Sequence, residues 1–280
     1  MKLEELQHHL FHILCEIDDA CRREKIPYML TGGTMLGAVR HHGFIPWDDD
    51  IDIFVWRKDY PAFKKALKKH LPDHLQVTEP SDLSPSFYDF ICRVQDKRYF
   101  FHAPTEEDLY YENKQNFISV DIFFLDNSAN SLAGTKGYAF LHKIIYGLAM
   151  GHRYRLDYSQ YTFLQKMQAA FLANIGAHIP MESILRWHEK LSMVYWDKPG
   201  KYCMVTNDLP YNLGLPYERE WLLETIDMPF WGRMLPVPTG YDLKLKLQYG
   251  DYMKPPADRT LYKQHVDDAE VQYVEMRDIS

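Results

Sequence analysis

Tyr28-Met29-Leu30-Thr31-Gly32-Gly33-Thr34, followed by Trp47-Asp48-Asp49-Asp50-Ile51-Asp52-Ile53, is the part of this sequence whose reading decides the fold. Three apolar residues running into Thr-Gly-Gly-Thr predict a short buried strand that breaks into a turn. Met35 to Arg40 has helix-forming composition, and Gly43 to Pro46 reads as loop. Asp50 to Val55 alternates acid and aliphatic, the pattern of a strand with one polar face. On such a strand Asp50 and Asp52 face one side while Ile51 and Ile53 face the core. Two parallel carboxylates repel unless a cation lies between them, and hard oxygen ligands suit Mg²⁺, with Mn²⁺ as the alternative. An isolated D-x-D describes a solvated strand face equally well, so its neighbours must decide.

Gly32-Gly33-Thr34 places backbone N–H groups and a hydroxyl where phosphate oxygens bind, although Gly-Gly alone is more often just a turn. Asp121, in Ser119-Val120-Asp121-Ile122-Phe123, is a lone acid within an apolar strand and needs a cation or a hydrogen-bonded partner. Asp48, Asp49, Asp50 and Asp52 concentrate more negative charge than a fold accumulates without counter-ions. Together these features predict a metal site.

Leu3, Leu6, Leu10, Ile13, Leu14 and Ile17 recur at steps of three and four, predicting an amphipathic first helix. Lys58 to Leu71 reads as a helix with a solvated lysine face, and Phe87 to Val94 and Phe117 to Leu125 as strands around an acidic loop. Leu132 to Val194 reads as three helices, interrupted near Asp157-Tyr158 and at Ile179-Pro180. Beyond Lys201 the sequence predicts short strands over Met228 to Val237, a helix near Asp242 to Tyr249 and a loop-like tail. Three segments follow: a core at 1–130 with the metal site, a helical segment at 131–200, and a C-terminal segment at 201–280 completing the substrate site.

The 280 residues are 46% hydrophobic and 25% charged, enough for a large core without staples. A net charge of −7 has the wrong sign for nucleic-acid binding, so an anionic substrate must be held locally. Cys15, Cys21, Cys92 and Cys203 follow no disulfide or C-x-x-C spacing and read as reduced thiols. The acidic N-terminus is not that of an export signal, so a cytoplasmic protein is expected, peripheral at most to the inner face of a membrane.

The run from Leu30 to Ile53 closely resembles the signature of the LicD family, to which the fukutin-related transferases are also similar. Val120-Asp121-Ile122-Phe123, Phe230-Trp231-Gly232 with Val237-Pro238, and Tyr249-Gly250-Asp251-Tyr252-Met253 with Pro255-Pro256, Arg259 and His265 agree in order. The resemblance implies an α+β, nucleotidyltransferase-like mixed sheet with flanking helices, a helical insertion and an irregular C-terminal portion. It implies Mg²⁺-dependent transfer of phosphocholine from CDP-choline to a hydroxyl of a bacterial teichoic acid or lipopolysaccharide, releasing CMP. Carried over, Gly32, Gly33 and Thr34 match the phosphate-binding turn, Asp50 and Asp52 the metal pair, and Asp121 the third carboxylate. Asp48 matches a further acid of open role. Trp231 stands where the family commonly has an acid, and His42 where it often has lysine.

Arg40, Arg259 and His265 are candidate substrate-binding residues beside the reading of surface side chains. Trp47 is the best-placed aromatic for cation–π contact with a quaternary ammonium, ahead of Tyr110, Tyr111, Tyr249 and Tyr252. His8 and His12 read as a solvated face. Lys143 to Arg155 reads as a core helix, with peripheral membrane contact as the alternative. The competing functions are transfer from CDP-ribitol or CDP-glycerol, glycosyl transfer, true nucleotidyl transfer, and non-catalytic binding of CDP-choline or choline.

Overall fold

The computed structural model describes residues 3–83, 87–159, 161–210 and 212–255. In chain order its elements are α1 (Leu3–Glu24), β1 (Met29–Leu30), α2 (Gly32–His41), β2 (Asp52–Trp56), α3 (Tyr60–His70), β3 (Leu75–Thr78), β4 (Cys92–Phe100), α4 (Glu106–Tyr110) and β5 (Phe117–Asn127). There follow α5 (Leu132–Ala149), α6 (Phe163–Gly176), α7 (Met181–Ser192), β6 (Tyr202–Val205), β7 (Tyr217–Glu218), β8 (Thr225–Phe230), β9 (Arg233–Pro238) and α8 (Tyr241–Tyr249). The α+β class expected from the sequence is the class found.

Strand order in the main sheet is β1-β2-β5-β4-β3, with β6 joined to β5 and β7 to β6. Only β2 and β5 run parallel among these pairs; the others are antiparallel. One face of the sheet is covered by α1, whose Leu6, Leu10, Ile13, Leu14 and Ile17 are buried with Ile53, Val55 and Ile122. The spacing of apolar residues in α1 therefore reports its packing, as read. The opposite face carries Phe54, Trp56, Phe123 and Leu125.

Three expected boundaries shift. The strand expected over Phe87 to Val94 begins at Cys92 and runs to Phe100. Asp89 accepts from the Ile91 N–H and pairs with Arg93, holding the preceding segment out of the ladder as irregular backbone. The charged run that follows stays in the sheet because Gln95 accepts from Thr78 and Asp96 from Arg98. The strand expected from Asp50 begins at Asp52, so Asp50 lies before it. Gly32-Gly33-Thr34, expected as a turn ahead of the helix, is the first turn of α2 itself.

Beneath α5 and α7, the His142 ring lies edge-on to Tyr138 and His188, with centroids 4.8 and 5.1 Å away. Neither His142 ring nitrogen has a hydrogen-bond partner. Burial, then His188 and Arg57, holds the His142 pKa down to about 2, and burial and Arg57 hold His188 at about 3. As pH falls through about 6.5 the unfolded chain takes up these protons first, so stability is lost from there down to the folded values. Between pH 7 and pH 5 the pair should cost about 4 kcal/mol, and His142→Phe should remove about half of that loss. Urea unfolding at pH 7, 6 and 5 reads this; an unaltered pH slope in the variant would show that His142 is not the group responsible.

Candidate active site

The parallel pairing of β2 with β5 sets Asp52 directly beside Asp121, and the antiparallel pairing of β4 sets Arg93 beside Asp121 on its other side. Residues in register share a face, so two carboxylates and a guanidinium form one row across the sheet. Arg93 Nε lies 3.3 Å from Asp121 Oδ1, and its Nη2 lies 2.5 Å from Asp89 Oδ2. Asp121 thus has an ion-pair partner in Arg93 and also accepts from Ser119 Oγ at 3.3 Å, which meets the need of a carboxylate in an apolar strand.

The first turn of α2 closes against the same row. The Asp52 N–H donates to Thr34 Oγ1 at 2.9 Å, and the Thr31 N–H donates to the Asp52 carbonyl at 3.1 Å. Gly32 has φ +54°, and a Cβ there would sit 2.6 Å from Asp52 Oδ2; a Cβ on Gly33 would sit 2.7 Å from Asp48 Oδ2. The glycines are there because two carboxylates rest on the helix N-terminus, where the partial positive charge favours them. Asp48 is tied to α1 by Gln7 Nε2, which donates to its carbonyl at 2.8 Å.

Desolvation, then the carboxylates of Asp50, Asp121, Asp208 and Asp48, holds Asp52 well above the usual carboxylate range. A cluster so charged favours a hard cation, and its donor set is all carboxylate oxygen. Among the described residues no three acidic, histidine or cysteine side chains are gathered as a ready-made metal cage. That is compatible with Mg²⁺, which keeps waters and is held by one or two carboxylates together with substrate phosphates.

Two members of this cluster escaped the sequence reading. Asp208 follows Asn207, whose side chain accepts from the Phe124 N–H at 2.7 Å and donates to the Phe90 and Ile122 carbonyls. Asn207 bridges the interval where β4 has ended and β6 has not begun along β5, and so fixes Asp208. Burial raises the Asp208 carboxyl above its ordinary value. Lys244 on α8 is fully buried, with Nζ 5.0 Å from the Phe54 ring centroid and 5.3 Å from that of Tyr217. Burial lowers its pKa to about 7, opposed by Asp208 and Asp52. Desolvation, followed by Asp52 and Asp48, also raises the Tyr249 hydroxyl.

Other candidates lie apart. Arg40, in the last turn of α2, donates through Nη1 to the Tyr252 carbonyl at 2.6 Å, away from the helix's first turn. Trp47 is half-buried against the main core, and Tyr110 and Tyr111 meet edge to face. Arg259 and His265 lie outside the described residues. Trp231 fills the space over Gly43 and packs on Phe11 and Phe44, a structural use of the position where an acid was expected. A cavity of about 480 Å³, lined by Arg57, Phe124, His188 and Trp196 among others, lies at the other end of β2 and includes none of these acids.

Residues 25–145 match the family described as LicD/FKTN/FKRP, nucleotidyltransferase domain. The chain is 27% identical over 266 residues to a Haemophilus influenzae protein named lipopolysaccharide cholinephosphotransferase LicD, covering 92% of each. It is also 38% identical over 58 residues to an uncharacterized protein of Rickettsia typhi, covering 21% of this chain and 19% of that one. A similar match, 40% over 58 residues, is to an uncharacterized protein of Rickettsia prowazekii, covering 21% of this chain and 22% of that one. The matched segment holds the glycines, Asp48, Asp50, Asp52 and Asp121, so the similarity to the LicD/FKTN/FKRP nucleotidyltransferase domain spans the carboxylate row.

Proposed function

We propose that this chain transfers phosphocholine from CDP-choline to a hydroxyl of a lipopolysaccharide or a related surface glycan, releasing CMP. The observation that carries the reading is the pairing of Asp52 with Asp121 against the first turn of α2. The name of the Haemophilus influenzae relative supports the choline cargo and the acceptor class.

In the proposed reaction the acceptor oxygen attacks the phosphorus that carries choline, the bond from that phosphorus to the bridging diphosphate oxygen breaks, and CMP leaves with the electron pair. Backbone N–H groups of Gly32, Gly33 and Thr34 receive the donor's phosphate oxygens at the helix N-terminus. Asp50 and Asp52 would hold Mg²⁺ together with the donor's phosphates, and the ion would neutralise charge on the diphosphate. Asp121 is committed to Arg93, so the half-buried Asp208 is the carboxyl suited to take the acceptor's proton. Lys244, close enough to feel both Asp52 and Asp208, offsets the negative charge of the cluster from the sheet side.

Calorimetric titration of CDP-choline, with and without Mg²⁺ and with CDP-ribitol, CDP-glycerol and UDP-glucose as competitors, tests this reading. The expected result is Mg²⁺-dependent preference for CDP-choline. Binding of CDP compounds regardless of cargo would withdraw choline, preference for UDP-glucose would favour glycosyl transfer, and CMP retained on the acceptor would favour nucleotidyl transfer.

A further inference from the structure

Helix α6 is apolar on the outside and small on the inside, the reverse of an ordinary surface helix. Its buried residues are Ala173 and Gly176, and a Cβ on Gly176 would collide with the Leu148 backbone of α5. Phe163 is 79% exposed, Leu164 63%, Met167 55% and Phe171 67%, and Phe140 on α5 is 62% exposed. Such a concentration of exposed apolar side chains marks an interaction surface.

The charge of the same region says what covers it. From residue 127 to 181 the chain has five basic residues, Lys136, Lys143, Arg153, Arg155 and Lys166, and one acid, Asp157. This net +4 stands within a chain of net −7. All five basic residues are exposed; Arg155 lies 3.5 Å from the exposed Glu106, and Arg153 lies over the Tyr88 ring. Two copies meeting here would bring two positive surfaces together, whereas an anionic bilayer satisfies both the apolar side chains and the charge. No helix among the described residues is long and apolar enough to cross a membrane.

We infer that α5 and α6 form a docking surface that seats the protein on anionic lipid, with the α6 aromatics in the interface and the lysines at the headgroups. This goes beyond the transfer reaction proposed above and stands without it. The docked helices also support the site: Leu209 and Leu213, on the segment that follows Asp208, pack in one cluster with Tyr138 and Ala139 of α5. Docking would therefore hold at the lipid the helix against which the segment carrying Asp208 packs.

The test is sedimentation of the full chain with vesicles of phosphatidylcholine alone or with roughly one-third phosphatidylglycerol. Wild type should sediment with the anionic vesicles and stay largely in solution with the neutral ones. The pair Phe163→Glu and Phe171→Glu, and separately Lys136→Glu and Lys143→Glu, should each weaken binding at least about tenfold while thermal unfolding and CDP-choline binding are unchanged. Wild type remaining in solution with anionic vesicles, or either pair sedimenting like wild type, would overturn the inference. So would a solution dimer that Phe171→Glu converts to monomer, which would assign the surface to a second copy. CDP-choline binding is read separately, so its failure would count against the transfer reaction and leave the lipid result intact.

Discussion

Asp52→Asn should lower the rate of CMP release by on the order of 10³-fold, about 4 kcal/mol of transition-state stabilisation, without unfolding the protein. The substitution keeps the side chain's shape, and the contacts that place β2 against α2 use the Asp52 backbone: its N–H to Thr34 Oγ1 and its carbonyl from Thr31. What it removes is one charge from a cluster in which Asp50, Asp121, Asp208 and Asp48 all raise the Asp52 pKa. Relief of like-charge repulsion should leave thermal stability unchanged or higher in the absence of Mg²⁺. A merely structural role predicts the reverse pattern, with stability falling and turnover following it. Near-normal turnover in Asp52→Asn would remove the basis for assigning chemistry to this row of residues.

Much of this arrangement was legible in the sequence because its parts are local. The glycines and the acid run lie close together, and the short polar alternation places Asp52 on a strand edge of the right kind. The reason for Gly32 and Gly33 was only half visible. They open the helix N-terminus and also leave room for the Asp52 and Asp48 carboxylates, a contact that no spacing rule encodes. Asp121 was conspicuous as an acid in an apolar strand, but its partner Arg93 comes from a strand whose start was misplaced.

Asp208 and Lys244 were beyond reach for a physical reason: nothing near them in sequence departs from the ordinary. Tyr241–Tyr249 reads as alternating leucine and lysine, which suggests leucines inward and lysines outward. The fold follows this only in part: Leu245 is fully buried and Lys246 exposed, but Leu243 is 48% exposed and Leu247 44% exposed while Lys244 is fully buried. An isolated buried ammonium is costly, and this one is met by Gln248 Oε1 at 3.0 Å, by the Phe54 and Tyr217 rings and by the field of Asp208 and Asp52, all but the first from distant segments. The helix expected as core over Lys143 to Arg155 is likewise two-sided, with His142, Tyr146 and Leu148 inward while Phe140 and Lys143 meet solvent.

The second large effect lies away from the carboxylate row. Asp126→Ala should destabilise the protein by about 3–5 kcal/mol, since it strands a buried guanidinium. Arg57 donates from Nε to Asp126 Oδ1 at 2.7 Å and from Nη2 to Oδ2 at 2.8 Å, and also reaches Thr206 Oγ1 at 2.9 Å. Burial works against the Arg57 charge, yet Asp126 prevails and holds its pKa above the ordinary value. Such a loss is a large share of the 5–15 kcal/mol that domains typically possess, and urea unfolding would read it directly. The charge-balanced double variant Arg57→Met, Asp126→Leu should recover most of the stability, because the desolvation of both ions is removed together. Turnover should not recover with it. Thr206 donates its hydroxyl to Asp126 Oδ2 at 2.5 Å, and its carbonyl lies 2.9 Å from His188 Nε2, so this network fixes the segment leading to Asp208. A double variant that regained stability but stayed slow in CMP release would show that the ion pair positions Asp208 as well as holding the fold. Loss of less than about 1 kcal/mol in Asp126→Ala would show instead that solvent reaches Arg57 and that the pair behaves as a surface contact.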